Sequence, residues 1–389
     1  MKRTLVATLL VALPVLAACG TESTKQSAGD GDAADARRVA VESSDDACGL
    51  SGTEAPAGTL TFNVANSGSE VTEFYLLAED GLQIVAEVEN VGPQSTKPLT
   101  TQVPAGNYVT ACKPGMKGEG IRADFVVTES DAADVTADDQ ELIDQAQDNY
   151  AAYVEDQSAQ LLVKTGEFVD LYKSGDDDAA RTLYADARTH WERIETVAES
   201  FGDLDPKMDA READLAPGEK WTGWHLIEKD LWPARAEGYQ ALTDKQRATY
   251  ADDLLANTET LDGRIQELTY TIDEIANGSR GLLEEVASGK VTGEEEYWSR
   301  TDLYDFQANV DGAKVGFEGV KPILEQKDPD LAEQLQARFD ELEVLLDAQR
   351  AGGGFTLYDE IEQDEIKALS DAVNALSEPL SRLTAAVLA

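Results

Sequence analysis

The sequence predicts a multidomain chain, a small β-sandwich followed by an all-α helical bundle. Its 389 residues exceed one ordinary domain, and a hydrophobic content of 42% allows real cores. From residue 58 to about 129, apolar residues alternate with period two, as in Leu60, Phe62 and Val64 and again in Ala123, Phe125 and Val127. After Ser130 the composition shifts to Ala, Leu, Glu, Asp and Gln, and the alternation disappears.

The N-terminus sets the expected location. Met1-Lys2-Arg3 is a positive n-region, residues 5–16 form a short apolar core, and Leu16-Ala17-Ala18-Cys19 ends it. Residues 1–18 therefore read as a lipoprotein signal peptide, and the last four positions resemble a bacterial lipobox, in which Cys19 is acylated. A plain signal peptide is the alternative. No later segment approaches the ~20 apolar residues of a transmembrane helix. The expectation is an extracytoplasmic protein, lipid-anchored to the bacterial cell membrane and touching it through that lipid only. Residues 19–46, small, polar and acidic, read as a flexible tether.

A formal charge of −44, from 76 acidic and 32 basic residues, argues against nucleic acid and anionic lipid surfaces, because the field repels both. Cations are the natural ligands of such a surface. Much of this charge also suits a plainly solvated exterior, so the local arrangement of carboxylates has to decide.

Residues 47–130 form the expected β-domain. Asn66-Ser67-Gly68, Glu79-Asp80-Gly81, Gly92-Pro93 and Pro104-Ala105-Gly106 separate six or seven short strands. Cys48 and Cys112 are the cysteines left after Cys19. In an oxidising compartment they make either a structural disulfide or, with a carboxylate such as Glu73, a second metal site. The segment VPAGNYVTACKPGM before the final strand is similar to a cupredoxin fold, whose copper-binding members supply Cys and Met here, at Cys112 and Met116. A blue-copper centre also needs two imidazoles. This domain has no histidine, so a type 1 site is excluded.

Residues 131–389 form the expected helical domain. Tyr150, Val154, Leu161, Phe168 and Leu171 share a helical face that ends at Lys173-Ser174-Gly175. Asp177 or Asp178 is expected to cap the next helix, carrying Leu183, Ala187, His190, Ile194, Val197 and Phe201. Helices are then expected over residues 247–261, 264–285 (broken near Gly278-Ser279 and Gly289), 301–324, 329–350 and 370–388, with a flexible loop at 351–354. About eight helices imply one or two bundles.

Both histidines lie between His190 and Glu228. In GWHLIE, His225 and Glu228 stand three residues apart, on one helical face and about 4.5 Å apart along the axis. An imidazole and a carboxylate so placed can share a first-row metal ion. Alone, HxxE is a weak signal, equally suited to a histidine bonded to its own glutamate. In HWERIE, Glu192, Glu195 and Glu199 are expected to line one face of a single helix, and His190 lies on nearly the opposite side, at the packing face. Such a stripe turned into a bundle is costly without a cation. Asp209, in the acidic loop between the two motifs, is the best further ligand. The expected metal site is thus Glu192, Glu195, Asp209, His225 and Glu228, hard and oxygen-rich, suited to iron or manganese and tolerant of zinc.

GWHLIE, HWERIE, FGDLDPKMDARE and VTGEEEYWSRTDLYDFQANVDGA, behind a cupredoxin-like module, resemble the imelysin (M75 peptidase-like) family, within it the iron-uptake lipoproteins of Efe-type systems. The resemblance covers about residues 50–389. It implies an iron-binding component that captures Fe2+ or Fe3+ outside the membrane and passes it to an EfeU-type permease, with an EfeB-type haem peroxidase as partner; zinc and copper are the other candidate ions. His225 and Glu228 match the family's HxxE pair. Many relatives carry histidine where this chain has Arg300, which is expected to pair with a carboxylate instead.

The family's peptidase label is the competing reading. A zinc peptidase of the usual kind needs two histidines one turn apart with a glutamate base, and here the two histidines are 35 positions apart. The helical domain also has no cysteine nucleophile, so no catalytic residues are assigned. A surface-binding role using Trp221 and Trp232 is a third reading, set against their packing between helices.

Overall fold

The computed structural model describes residues 36–130, 137–215 and 218–389. The signal peptide and Cys19 lie outside the described residues. Nine strands build the sandwich: β1 (Arg38–Ser43), β2 (Cys48–Leu50), β3 (Glu54–Pro56), β4 (Gly58–Asn66), β5 (Thr72–Leu77), β6 (Ile84–Val91), β7 (Thr96–Val103), β8 (Gly106–Pro114) and β9 (Ile121–Thr128). One sheet runs β2-β1-β4-β7 and the other β3-β9-β8-β5-β6. The β1–β4 and β3–β9 pairs are parallel, and the other pairs are antiparallel.

Period two explains the core. Leu60, Phe62 and Val64 of β4 point inward, and Phe62 packs on Phe74 and Phe125 with ring centroids at 5.2 and 5.5 Å. The tether expected over 19–46 is corrected at its end, because residues 38–43 form β1 with Val39, Val41 and Ser43 buried. Its short alternation is masked by polar neighbours in the sequence. Cys48 and Cys112 join the two sheets through a disulfide with an S–S distance of 2.02 Å. The Cys/Glu metal alternative is thereby corrected. Glu73 accepts a hydrogen bond from Tyr75 at 2.5 Å and pairs with Lys113 at 3.7 Å.

Eleven helices follow among the described residues: α1 (Ala137–Ser174), α2 (Asp177–Glu192), α3 (Glu195–Glu199), α4 (Asp205–Met208), α5 (Trp224–Leu231), α6 (Asp244–Ile265), α7 (Ile272–Ser288), α8 (Asp302–Lys327), α9 (Pro329–Ala348), α10 (Gln363–Leu380) and α11 (Leu383–Leu388). The N-cap of α2 is Asp176, one residue before the expected pair. Thr243 with Gln246 and Thr271 with Glu274 form capping boxes that start α6 and α7. These boxes move the expected break from Leu261–Arg264 to residues 266–271, and Gly278-Ser279 stays inside α7. The loop expected at 351–354 is a hairpin, β10 (Arg350–Ala351) against β11 (Gly354–Phe355). Gly352 and Gly353 turn it with φ of 60° and 90°, as a tight two-residue turn requires.

The expected single helix through HWERIE is interrupted. Helix α2 stops at Glu192, and α3 starts at Glu195. The cause lies on α8: Asn309 Nδ2 donates to the Glu192 carbonyl at 2.7 Å, and Gly312 lets α8 approach the Arg193 carbonyl so closely that a β-carbon would collide with it. Helix α8 is buried around most of its N-terminal two-thirds, as befits the centre of the bundle.

The sandwich sits on α7. Asp273 accepts from the Thr101 hydroxyl at 2.8 Å and the Gln102 amide at 2.7 Å, Asn277 donates to the Thr100 carbonyl at 3.0 Å, and Lys97 pairs with Glu284 at 3.1 Å. Among the described residues no helix is long and apolar enough to cross a membrane.

Candidate metal centre

Five segments converge beside the N-terminal half of α8. Helix α2 contributes Arg188 and Glu192, one turn apart, and α3 opens with Glu195. Asp209 closes α4, and α5 carries His225 and Glu228. The turn-rich segment before α8 supplies Lys290, Glu295, Glu296 and Ser299, and α8 itself supplies Asp302, Asp305 and Asn309. All thirteen are buried.

Glycine sets the entry of α5. Gly223, the first residue of GWHLIE, has φ of 90° and lies against the Met208 carbonyl, where any β-carbon would clash. This contact presses the start of α5 onto the end of α4. It thereby brings His225 to Asp209.

His225 is 1% exposed. Its Nε2 lies 3.4 Å from Asp209 Oδ1 and 3.4 Å from Glu295 Oε1, and its Nδ1 lies 3.5 Å from Glu228 Oε2 and 3.9 Å from Glu296 Oε1. Neither ring nitrogen has a hydrogen-bond partner, nor have Glu228 Oε2, Asp302 Oδ2 and both Asp305 oxygens. Buried polar atoms without protein partners are costly and rare, and a cluster of them on an imidazole and carboxylates has the donor chemistry to hold a cation. Ligand atoms of Asp209, His225 and Glu295 lie within 4.8 Å of one another, as do those of His225, Glu228 and Glu296 and those of Glu192, Glu195 and Asp209.

Charge points the same way. Eight buried carboxylates (Glu192, Glu195, Asp209, Glu228, Glu295, Glu296, Asp302 and Asp305) surround two buried cations, Arg188 and Lys290. Arg188 bridges Glu192 and Asp209 and lies 2.6 Å from Glu296, and Lys290 is 2.8 Å from Glu195 and 3.2 Å from Glu192. Without a further cation, protons take its place. Burial and neighbouring carboxylates lift Glu195, Glu296 and Asp305 well above the usual carboxylate range, and burial pushes Asp302 up to about 7. Burial and Arg188 work to depress His225, but Glu228, Glu295 and Asp209 outweigh them and raise it well above its usual value. Burial would also lift Asp209 and Glu295. Instead Arg188 and His225 hold Asp209 below its usual value, and Lys290 and His225 hold Glu295 well below.

The five expected ligands divide. Asp209, His225 and Glu228 meet at the imidazole. Glu192 and Glu195 converge on Lys290 and Asn309 instead, with Asn309 Nδ2 2.8 Å from Glu195 Oε2. Glu199 groups with Glu195 and Glu285, their ligand atoms within 4.8 Å of one another, and not with His225. His190 bonds Gln157 through Nδ1 at 2.9 Å, away from the cluster. Arg300 is corrected: it donates to the Gly293 carbonyl at 3.4 Å and lies 4.7 Å from the Tyr297 ring centroid, rather than pairing with a carboxylate. Trp221 and Trp232 pack against Trp298 and Tyr184, at 5.8 and 5.5 Å between centroids. The sequence reading missed Glu295, Glu296, Asp302 and Asp305. The acidic run Glu294-Glu295-Glu296 was the available signal.

The imelysin peptidase M75 family matches residues 146–383, and the cupredoxin-like domain matches residues 9–127. The chain belongs to the imelysin family. Its imelysin region holds every residue of the cluster. Among curated relatives, the iron uptake system component EfeO of Yersinia pestis is 34% identical over 385 residues, covering 98% of this chain and 96% of the relative. EfeO of Escherichia coli O157:H7 is 35% identical over 355 residues, covering 90% and 92%. EfeO of Yersinia pseudotuberculosis serotype I is 35% identical over 354 residues, covering 90% and 91%. The likeness therefore spans nearly the whole chain, through both its cupredoxin-like and its imelysin regions.

Proposed function

We propose that this imelysin protein is the extracytoplasmic iron-binding component of an Efe-type uptake system. It captures Fe2+ or Fe3+ at the His225 cluster and delivers it to an EfeU-type permease, with an EfeB-type haem peroxidase as partner and lipid at Cys19 as its membrane anchor. One observation carries the reading: a fully buried imidazole with both nitrogens unpartnered faces four carboxylates at 3.4–3.9 Å. The relatives' shared name supports iron as the cargo. Nitrogen with several carboxylate oxygens suits iron, and zinc is a tolerated competitor; copper has no thiolate here to favour it. Glu192 and Glu195, tied to Lys290, form the wall of the chamber rather than its centre.

Titration calorimetry of the mature chain with Fe(II), under anaerobic conditions, and with soluble Fe(III) tests the proposal. His225→Ala is expected to weaken binding by about a hundredfold or more. Unchanged affinity in that variant would rule the site out. Peptidase activity is the alternative, from the family's description. The geometry speaks against it, because Glu228 is fully buried and its Oε1 accepts the Trp298 and Ser299 amides at 2.7 and 2.6 Å, which leaves it poorly placed to activate water. Casein hydrolysis abolished by Glu228→Gln would favour the peptidase.

A further inference from the structure

The imidazole of His225 faces carboxylates on both sides, yet a neutral imidazole can ligate a metal through one nitrogen only, while the other carries the proton. The two sides are built differently. On the Nδ1 side, Glu228 and Glu296 are both fully buried. Glu228 Oε1 is pinned by two backbone amides, and Glu296 accepts the Ser299 hydroxyl at 2.8 Å and the Tyr184 hydroxyl at 3.2 Å. This side is closed by backbone and aromatic side chain.

On the Nε2 side, Asp209 and Glu295 lie at the edge of the chamber, at 9% and 7% exposure. Glu295 also reaches the half-buried Arg211, 3.3 Å away on the rim. Asp209 Oδ1 accepts from Arg188, and a carboxylate oxygen keeps a second lone pair for a cation. An ion arriving from solvent meets this side first.

We infer that the ion is held at Nε2 of His225 together with Asp209 and Glu295, and that Glu228, whose Oε2 lies 3.5 Å from Nδ1, is a positioning residue that accepts the Nδ1–H hydrogen bond and fixes the ring when the ion binds. The inference rests on the proposed metal site and assigns roles within it. The GxHxxE glutamate then acts through the histidine, as carboxylates behind metal-bound imidazoles do. The i, i+3 spacing on α5 serves this purpose: it sets Glu228 Oε2 3.5 Å from Nδ1 while its other oxygen is clamped to the segment before α8.

The chain has two histidines, so uniform 15N-histidine labelling gives four ring-nitrogen signals, with His190→Gln assigning the pair from His190. In the wild-type protein loaded with diamagnetic Zn(II), the expected result is a metal-bound Nε2 and a protonated Nδ1 on His225. Zn(II) at Nδ1 overturns the inference and leaves the metal site standing. Zn(II) bound at neither nitrogen overturns both. Glu295→Gln is expected to weaken Co(II) binding by about a hundredfold or more and to change its visible spectrum. Glu228→Gln is expected to weaken it by about 10–100-fold with the spectrum and stoichiometry retained. A changed Co(II) spectrum in Glu228→Gln, or unchanged affinity in Glu295→Gln, also overturns it.

Discussion

Lys290 offsets part of the negative charge of the chamber. Its ammonium is 1% exposed and pairs with Glu195 and Glu192. Removing one partner of a buried ion pair leaves the other charge uncompensated, at a cost of about 3–5 kcal/mol. Lys290→Met should lower stability in chemical denaturation by about that amount, and saturating iron should recover part of it, because a ligand that binds only the folded state stabilises it. Gly223 carries a different constraint. Gly223→Ala forces a side chain into a left-handed backbone and into the Met208 carbonyl, at a cost on the order of 1–3 kcal/mol from the backbone alone. It should lower the melting temperature and weaken iron binding together, since the same contact holds His225 beside Asp209. Wild-type affinity in a Gly223→Ala protein would show that the α4–α5 contact does not set the site.

Secondary-structure elements divide into those that support the site and those that stand apart from it. The Cys48–Cys112 disulfide closes a loop of 64 residues between the two sheets. By chain entropy such a crosslink is worth about 4 kcal/mol. Cys48→Ser/Cys112→Ser should therefore destabilise the sandwich and leave iron stoichiometry at the helical cluster unchanged, as calorimetry would show. Helix α8 belongs to the site: Asp302, Asp305 and Asn309 recur at helical intervals of three and four, and Gly312 admits the backbone where α2 ends. Its hydrophobic pattern was legible as a helix from 301 to 324. That it interrupts the HWERIE helix was not legible, because the interruption comes from a side chain 117 residues away.

At the scale of the whole molecule, carboxylates also gather where the sandwich meets the bundle. A cavity between β6 and α7 is lined by Glu87, Glu89, Glu199, Glu284 and Glu285. Burial, then Glu73, pushes Glu87 up to about 8, and burial with Asp209 pushes Asp205 up to about 7. A carboxyl whose pKa is higher folded than unfolded binds more protons in the folded state between the two values. Stability is therefore retained at low pH and lost as pH rises from about 4.5 toward 8. The metal-free protein should be less stable at pH 8 than at pH 5, and Glu87→Gln should flatten that slope by on the order of 1 kcal/mol, measured by urea unfolding at both values. A slope identical to wild type would mean that Glu87 ionises normally. Composition, period-two alternation and helical spacing determined the two domain types and their order, because these patterns record which faces are buried. Local spacing also singled out His225 with Glu228 and drew attention to Asp209. Only the tertiary structure separated Glu192 and Glu195 onto Lys290, joined Cys48 to Cys112, brought Glu295 and Glu296 to the imidazole, and set Asp302 against the Glu296 amide and Asp305 beside Arg188. A buried charge cluster is a balance among segments far apart in the chain, and no local pattern encodes which carboxylate meets a lysine and which is left without a partner.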